Sequence, residues 1–494
     1  MTGYLSRRGL LRRGAAAAAV VAGAGAVAGC AQSAGGAVGS GSTAAPTTQQ
    51  TKIVLGMRAW GVGSGAAGSP KTIDALLYEK TKPWRDLHPG VDINIIENSG
   101  GPAAVIASII AGSGPDIYHS WHPAEMFATE DYTADLGPYM KQYNVDISVY
   151  NKAQMDLFVQ PNGVRALPYY LGTMALAVNE GLLDQLGLQY PAPDWTYQDY
   201  AALATSIARE GKAGTGAVKK PVYGADYGLG NLGAPSGYLP PDCILQGFGG
   251  SYVDPNDTTK SNLGSENVIN AVTWVYDLAK NKVLAGPGAP GVSFTGSTLG
   301  MTWAPSFFLP AAATGWKGLK WKYYNMPSFP ATGAVTGGTE DLWAMNPHSK
   351  HLDLAWDLLH WCSFEPAWQI SQMEIFLLSP ALVGLWDQWL TFVPQIAPPL
   401  ANKNLTAFAT LAKSNKAYPQ QFTRYSSTSA YTLIDSWGQK MYTNKVDIRG
   451  GLTQLAQQID QLELVSSSEA QAAVGVAKAF PSTGPAIAAV TPGL

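Results

Sequence analysis

The first part of the chain alternates short apolar runs with amphipathic segments. Five segments carry this pattern: a strand over 52–60, a helix over 72–87, a strand over 91–98, a helix over 102–112 and a strand over 114–121. Pro83 is expected to kink or end the first of these helices, because proline removes a backbone donor and clashes with the preceding turn. Strands that alternate with helices in this order predict a parallel sheet with helices on its faces.

The pattern continues along the rest of the chain. Strands are predicted over 165–179, 298–304, 323–329 and 337–346, and helices over 194–210, 265–282, 352–375 (two short helices around Pro366), 427–443 and 450–464. Ser265 is a predicted N-cap, and a helix start is predicted at Thr196 or Asp199. The chain of 494 residues is long enough for two or three domains or one large two-lobed α/β body.

The first thirty residues have a different pattern. Arg7 and Arg8 precede a short run of small apolar residues, which ends in Val-Ala-Gly-Cys at Cys30. This order predicts a bacterial export signal, and the cysteine resembles a lipobox residue that is acylated and becomes the mature N terminus. A membrane span needs about 20 apolar residues, and the run from Ala15 to Ala28 is shorter. Ser-Arg-Arg resembles the twin-arginine consensus, with a general secretory signal as the alternative.

Composition excludes several classes of function. Charged residues make up 14% of the chain and the formal net charge is −3, and removal of the arginine-rich signal makes the remainder more acidic. Nucleic-acid binding needs basic patches, so no nucleic-acid partner is predicted. Besides Cys30, the chain has Cys243 and Cys362, which could form one disulfide or be buried singly. No Cys-x-x-Cys pair is present, so structural zinc has no support in the sequence.

Several strings occur in an order that is typical of one family. They are AGSGPDIYHSW (111–121), RALPYYLGTMALAVNEGLLDQLGL (165–188), PAPDWTYQDYAALA (191–204), GGTEDLWAMNPHSKHLDLAWDLLHW (337–361) and MYTNKVDIRGGLTQLAQQI (441–459). Together they resemble the extracellular solute-binding proteins of ABC importers, family 1, which mostly bind sugars. Asn179 stands where the family has an asparagine, and Val178 replaces its usual aromatic residue.

The resemblance implies a two-lobed periplasmic-binding-protein-like fold, in which each lobe is a mixed sheet flanked by helices and the ligand cleft lies at the hinge. The chain should cross between lobes near Tyr169–Thr173, near Gly338–Leu342 and between 385 and 425. The expected division is a signal peptide at 1–29, the lipidated cysteine and a flexible linker at 30–51, lobe I at 52–170 plus 342–390, lobe II at 171–341 plus 391–480, and a frayed tail at 481–494.

The resemblance also implies three partners. They are a small-molecule solute, which is expected to be a carbohydrate, the transmembrane subunits of an ABC permease, and a membrane through the lipid anchor. The protein is then an extracytoplasmic, lipid-anchored monomer with no enzymatic activity, no cofactor and no metal.

Sugar capture requires aromatic faces and planar polar groups, and the chain has 15 Trp and 23 Tyr. Aromatic residues at strand ends are favoured, because ligands in open α/β sheets bind beyond the carboxyl ends of the strands. The predicted ligand-binding residues are Trp60, Trp121, Tyr169, Tyr170, Tyr238, Trp303, Phe307, Glu340 and Asp341. Strand alternation should direct only one of Tyr169 and Tyr170 at the ligand.

Other functions are less well supported. Glu340 and Asp341 are adjacent in a predicted strand and should point to opposite faces, which disfavours the converging carboxylates of a glycosidase. His119, His122 and Glu125 could bind a metal, although Pro123 interrupts any regular helix there. A polyol, glycerol phosphate or peptide ligand, or a surface receptor that is not coupled to transport, stays open.

Overall fold

A computed structural model describes residues 53–59, 71–97, 101–121, 131–160, 163–212, 221–226, 238–254, 260–339, 341–419 and 427–462. The predictions for the export signal (Arg7, Arg8), Cys30, the linker at 30–51, Trp60, Glu340 and the tail at 481–494 lie outside these residues.

The strands are numbered in chain order. They are β1 (Ile53–Ala59), β2 (Val91–Glu97), β3 (Ile117–Ser120), β4 (Val159–Gln160), β5 (Gly163–Val164), β6 (Leu167–Pro168), β7 (Met174–Val178), β8 (Tyr223–Asp226), β9 (Leu284–Ala285), β10 (Leu299–Pro305), β11 (Lys322–Tyr324), β12 (Ser328–Phe329), β13 (Gly333–Ala334), β14 (Thr336–Gly338), β15 (Leu342–Met345) and β16 (Ala417–Pro419).

The helices are numbered in the same way. They are α1 (Ile73–Lys80), α2 (Lys82–Leu87), α3 (Gly101–Ile110), α4 (Gly137–Gln142), α5 (Lys152–Phe158), α6 (Glu180–Leu186), α7 (Tyr197–Lys212), α8 (Asp242–Gly247), α9 (Glu266–Lys280), α10 (Leu309–Gly315), α11 (Leu352–Phe364), α12 (Pro366–Phe376), α13 (Trp386–Ile396), α14 (Thr406–Lys413), α15 (Ser427–Tyr442) and α16 (Ile448–Asp460). None of these helices is both long and apolar enough to cross a membrane.

Local sequence explains where several helices begin and end. Pro83 lies in the first turn of α2, so the predicted helix over 72–87 divides at Thr81. At the start of α7, the Asp199 carboxylate accepts from the Thr196 backbone N–H at 2.8 Å and the Thr196 hydroxyl accepts from the Asp199 N–H at 3.2 Å, which is a reciprocal capping box. Ser265 occupies the N-cap of α9 as predicted, but its hydroxyl makes no capping hydrogen bond.

Two five-stranded sheets form the centres of two lobes. The first has the order β2-β1-β3-β15-β6, in which β1 pairs in parallel with β2 and β3, as the strand–helix pattern predicts. The second has the order β11-β7-β10-β8-β9, with β10 parallel to β8 and antiparallel to β7. The α/β class and the two-lobed arrangement are therefore confirmed.

Two of the predicted strands each divide between two different sheets. The run 165–179 divides into β6 in the first sheet and β7 in the second. The run 337–346 divides into β14, which pairs with β16 in a separate two-stranded sheet, and β15 in the first sheet. Thr173 and Gly338 form an isolated bridge, so the two crossing segments lie side by side. The run 165–179 reads as one strand in the sequence because both β6 and β7 are buried and apolar.

Buried apolar residues form separate clusters on the two sheets. One cluster covers the first sheet and includes Cys362, and another covers one face of the second sheet and includes Cys243. Both cysteines are free, and burial raises the pKa of each thiol. The chain passes between the lobes a third time after Leu382. Leu382 lies in the cluster of the first sheet, and Trp386 packs on the second sheet.

Candidate functional site

The carboxyl end of β3 lies beside the two chain crossings. β3 ends at Ser120, and Trp121 follows directly with a half-buried side chain. In open α/β sheets, ligands bind outside the carboxyl ends of the strands, where loops from neighbouring strands converge. This edge of the first sheet is therefore the candidate ligand site.

His119 is the centre of the side-chain arrangement at this edge. Its Nε2 lies 2.8 Å from Oδ1 of Asp341, and both residues are buried. The imidazole ring packs 4.4 Å from the Tyr169 ring and 5.8 Å from the Trp121 ring, measured between centroids. Residues from β3 and from both crossings thus meet around one imidazole.

Tyr169 is held as a neutral phenol. Burial raises its pKa well above the ordinary value, and the nearby charge of Asp341 raises it further. Its hydroxyl donates to Oε1 of Gln372 at 2.8 Å, and its ring meets Trp343 at 4.9 Å in an edge-on contact. This network fixes the orientation of the Tyr169 ring.

Tyr170 follows in the crossing with its ring nearly perpendicular to that of Tyr169, at an interplanar angle of 86°. Both tyrosines are buried, Tyr169 at 2% exposure and Tyr170 at 8%. The two rings are in edge-on contact, with centroids 5.6 Å apart. That strand alternation directs only one of them at the ligand stays a prediction. Ligand contact by either ring stays a prediction.

The second sheet places Trp303 and Phe307 differently. Trp303 lies on β10, is 5% exposed, and donates its indole N–H to the Tyr200 hydroxyl at 3.3 Å. Phe307 follows the same strand but is half-buried and packs against the cluster of the first sheet. Phe307 therefore lies where the two lobes meet, whereas Trp303 packs inside the second lobe.

Tyr238 lies with a separate group of tyrosines in the second lobe. Its ring is 5.9 Å from Tyr442 at the end of α15, and Tyr442 is 5.4 Å from Tyr276 on α9. None of these three tyrosines is among the described residues that pack around His119. A ligand-binding role for Tyr238 stays a prediction.

Three polar side chains at these edges were not among the predicted ligand-binding residues. They are His119, Gln372 and Asp226. Asp226 ends β8, and its carboxylate accepts from the Thr302 hydroxyl and, at 3.4 Å, from the Trp303 backbone N–H. Asp226 is the last residue of a predominantly buried strand, and this position could have identified it from the sequence. Gln372 lies in α12, about 200 residues from Tyr169, so no local pattern links the two.

The metal-binding alternative gains no support from the described residues, in which no cluster of three or more His, Cys, Asp or Glu side chains has the geometry to hold an ion. His119 is engaged with Asp341. His122 and Glu125, the other members of the sequence motif, lie outside the described residues.

The arrangement combines a half-buried indole with buried phenols and a histidine–carboxylate pair. Aromatic faces give a rigid apolar surface, and the polar groups beside them can accept or donate hydrogen bonds. Such a mixture suits a flat, hydroxyl-rich ligand better than a highly charged one.

The chain is similar to known proteins in sequence family and in fold. The family model for bacterial extracellular solute-binding proteins matches residues 66–367. No curated protein sequence matches the chain.

Solved structures of similar fold cover most of the chain. The cyclic α-maltosyl-1,6-maltose binding protein from Arthrobacter globiformis has 16% identity and a TM-score of 0.65, over 83% of this chain and 98% of that one. The MalE sugar-binding protein from Xanthomonas citri has 15% identity and a TM-score of 0.63, over 83% and 97%. The substrate-binding protein Lmo0181 from Listeria monocytogenes, in complex with cycloalternan, has 16% identity and a TM-score of 0.62, over 83% and 98%.

Proposed function

We propose that this chain, which belongs to the bacterial extracellular solute-binding proteins, captures a sugar or oligosaccharide by lobe closure and delivers it to an ABC permease. The similar structures named above include a binding protein for cyclic α-maltosyl-1,6-maltose and one in complex with cycloalternan, which supports a carbohydrate ligand. The proposal assigns no catalytic step and no cofactor to the chain.

The observation that carries the proposal is the group formed by Trp121, His119, Asp341 and Tyr169. Pyranose rings present flat C–H faces that stack on indole and phenol rings, while their hydroxyls bond to carboxylates and imidazoles. Trp121 is half-buried and is fixed beside a buried polar pair, so it offers an aromatic face with little loss of conformational entropy on binding.

Lobe closure would bring a second set of groups to the ligand. Asp226 ends a strand of the second sheet, and Phe307 already packs against the first lobe. We propose that the Asp226 carboxylate accepts hydrogen bonds from hydroxyls on the opposite side of the ligand. Phe307 then lines the hinge end of the cleft. Closure by hinge motion between lobes is a known mode of ligand capture.

A thermal-shift screen tests the proposed ligand class. A ligand that binds only the native state raises the melting temperature in proportion to the logarithm of its concentration over Kd. The panel contains maltose, maltotriose, a cyclic oligosaccharide and mannotriose, with a dipeptide, glycerol 3-phosphate and zinc as comparisons. A shift with at least one sugar supports the proposal; shifts with the comparisons alone contradict it.

The proposal also includes export and lipid anchoring through Cys30. A tether raises the effective concentration of a receptor near its permease. The test follows the wild-type chain and Cys30→Ala in a Gram-positive host that is labelled with a palmitate analogue. Label and membrane retention should be lost in the variant, while ligand binding by the released protein stays the same. Equal labelling of both chains would contradict the assignment.

The export route has its own test. Replacement of Arg7 and Arg8 by lysine blocks twin-arginine transport more than general secretion. An unchanged amount of exported protein would favour the general secretory route.

A further inference from the structure

The two segments that cross between the lobes are joined by side-chain hydrogen bonds as well as by backbone pairing. The Tyr170 carbonyl oxygen accepts from the Thr339 hydroxyl at 3.2 Å, and the Gly172 N–H donates to the same hydroxyl at 2.8 Å. The Thr339 N–H in turn donates to the Gly172 carbonyl at 3.0 Å. Backbone groups of the two crossings are therefore bonded to each other and to the Thr339 hydroxyl.

One side chain bonds to both crossings. Nε2 of Gln154 lies 2.9 Å from the carbonyl oxygen of Tyr170 in the first crossing and 2.9 Å from that of Thr339 in the second. Carbonyl oxygens only accept hydrogen bonds, so the amide nitrogen, with its two N–H donors, must face them. The orientation of the Gln154 amide follows from its surroundings.

Gln154 itself belongs to the first lobe. It lies in α5, where its neighbours Met155 and Phe158 pack in the first-sheet cluster. Its side chain is fully buried, and its Oε1 has no hydrogen-bond partner. A buried amide oxygen without a partner destabilises the folded protein, because it has lost its hydrogen bonds to water. The two hydrogen bonds that the amide nitrogen donates offset this penalty and hold the side chain in place.

Resting on the proposed function, we infer that Gln154 is a positioning residue that clamps the two crossings together and sets the balance of open and closed lobes before any ligand binds. Rotation of one lobe changes the torsion angles of the crossings and so changes the distance between the Tyr170 and Thr339 carbonyls. One rigid amide spans both carbonyls only over a narrow range of that distance. The clamp thereby narrows the range of lobe angles in the free protein, and so sets the fraction of molecules in the binding-competent state.

Pulsed electron–electron spin resonance on the ligand-free protein tests this inference. Spin labels are placed on Lys141→Cys in α4 of the first lobe and on Asn270→Cys in α9 of the second, both at exposed positions, in the full chain with Cys30→Ser. Cys243 and Cys362 are buried and should not take label in the folded protein. The readout is the distribution of distances between the two labels.

The variants compare the clamp with a buried amide elsewhere. Gln154→Met keeps the shape of the side chain and removes both bonds, and Thr339→Val removes the hydroxyl that joins the crossings. The control is Asn346→Leu, because Asn346 is a buried amide whose Oδ1 accepts from the His348 N–H within the loop after β15. Circular dichroism verifies that each variant is folded.

The inference expects a broadened or shifted distance distribution for Gln154→Met and Thr339→Val, and a distribution for Asn346→Leu that overlays the wild type. If Gln154→Met does not fold, Gln154→Leu is measured in its place, because it also removes both bonds. A distribution for Gln154→Met that overlays the wild type, or an equal broadening in the control, overturns the inference. The measurement uses no ligand, so its outcome is independent of the sugar screen.

Discussion

The Nε2 atom of His119 and the Oδ1 atom of Asp341 lie 2.8 Å apart. This contact joins the residue directly before β15 to the carboxyl end of β3. Both residues are buried, and the imidazole also packs on Tyr169. The pair therefore fixes the distance between the second crossing and the aromatic group beside it.

Loss of the Asp341 carboxylate should destabilise the protein. Asp341→Ala leaves a buried imidazole nitrogen without its acceptor, and a buried polar group that loses its partner costs about 1 to 3 kcal/mol. Asp341→Asn retains an acceptor oxygen and should lose less. Urea unfolding at neutral pH measures both variants; equal stability of Asp341→Ala and the wild type would contradict the structural role of the pair.

Trp121→Ala should weaken sugar binding while the protein stays folded. Central aromatic residues of a binding site typically contribute about 2 kcal/mol or more when truncated. Isothermal titration with the sugar that gives the largest thermal shift measures the change. Tyr143→Ala is the matched control, since Tyr143 is an exposed aromatic residue of the same lobe, 57% accessible, and its loss should leave affinity unchanged. Unchanged affinity in Trp121→Ala would remove Trp121 from the site.

Trp303→Phe separates packing from ligand contact. The indole is 5% exposed and donates to the Tyr200 hydroxyl, so the smaller ring leaves a cavity and an unpaired hydroxyl. We expect a loss of about 1 to 3 kcal/mol in the free energy of unfolding and little change in sugar affinity. A large loss of affinity without a loss of stability would instead support the predicted stacking role.

Stability should rise with pH through the range in which His360 titrates. Burial lowers the pKa of this imidazole, partly opposed by the charge of Asp357. Below the unfolded-state value of about 6.5, the unfolded chain then binds more protons than the folded one, so stability is lost as the pH falls. His360→Phe keeps the stacking on Phe364, whose ring lies 4.8 Å away, and removes this dependence.

The measurement for His360 is the melting temperature of the wild type and the variant across mildly acidic pH. The variant should show a flatter slope. Parallel slopes for the two proteins would show that His360 does not contribute to acid sensitivity.

Periodicity was sufficient for the elements whose physical cause is local. The α1–α2 break at Pro83, the capping box of Thr196 and Asp199, and the pair of helices around Pro366 all follow from residues within one or two turns. Parallel pairing of β1 with β2 and β3 followed from strand–helix alternation. The cap expected of the Ser265 hydroxyl is not made, because a suitable residue type does not by itself determine a rotamer.

The sequence by itself determined the fold class, the order of elements and the family, because apolar spacing and the turn residues act over short distances. Only the tertiary structure decided which side chains meet. His119 and Asp341 are more than two hundred residues apart, and Gln154 reaches two crossings that the sequence pattern reads as uninterrupted strands. Hydrogen bonds of this kind depend on where two sheets place their ends in space, and no local pattern encodes that distance.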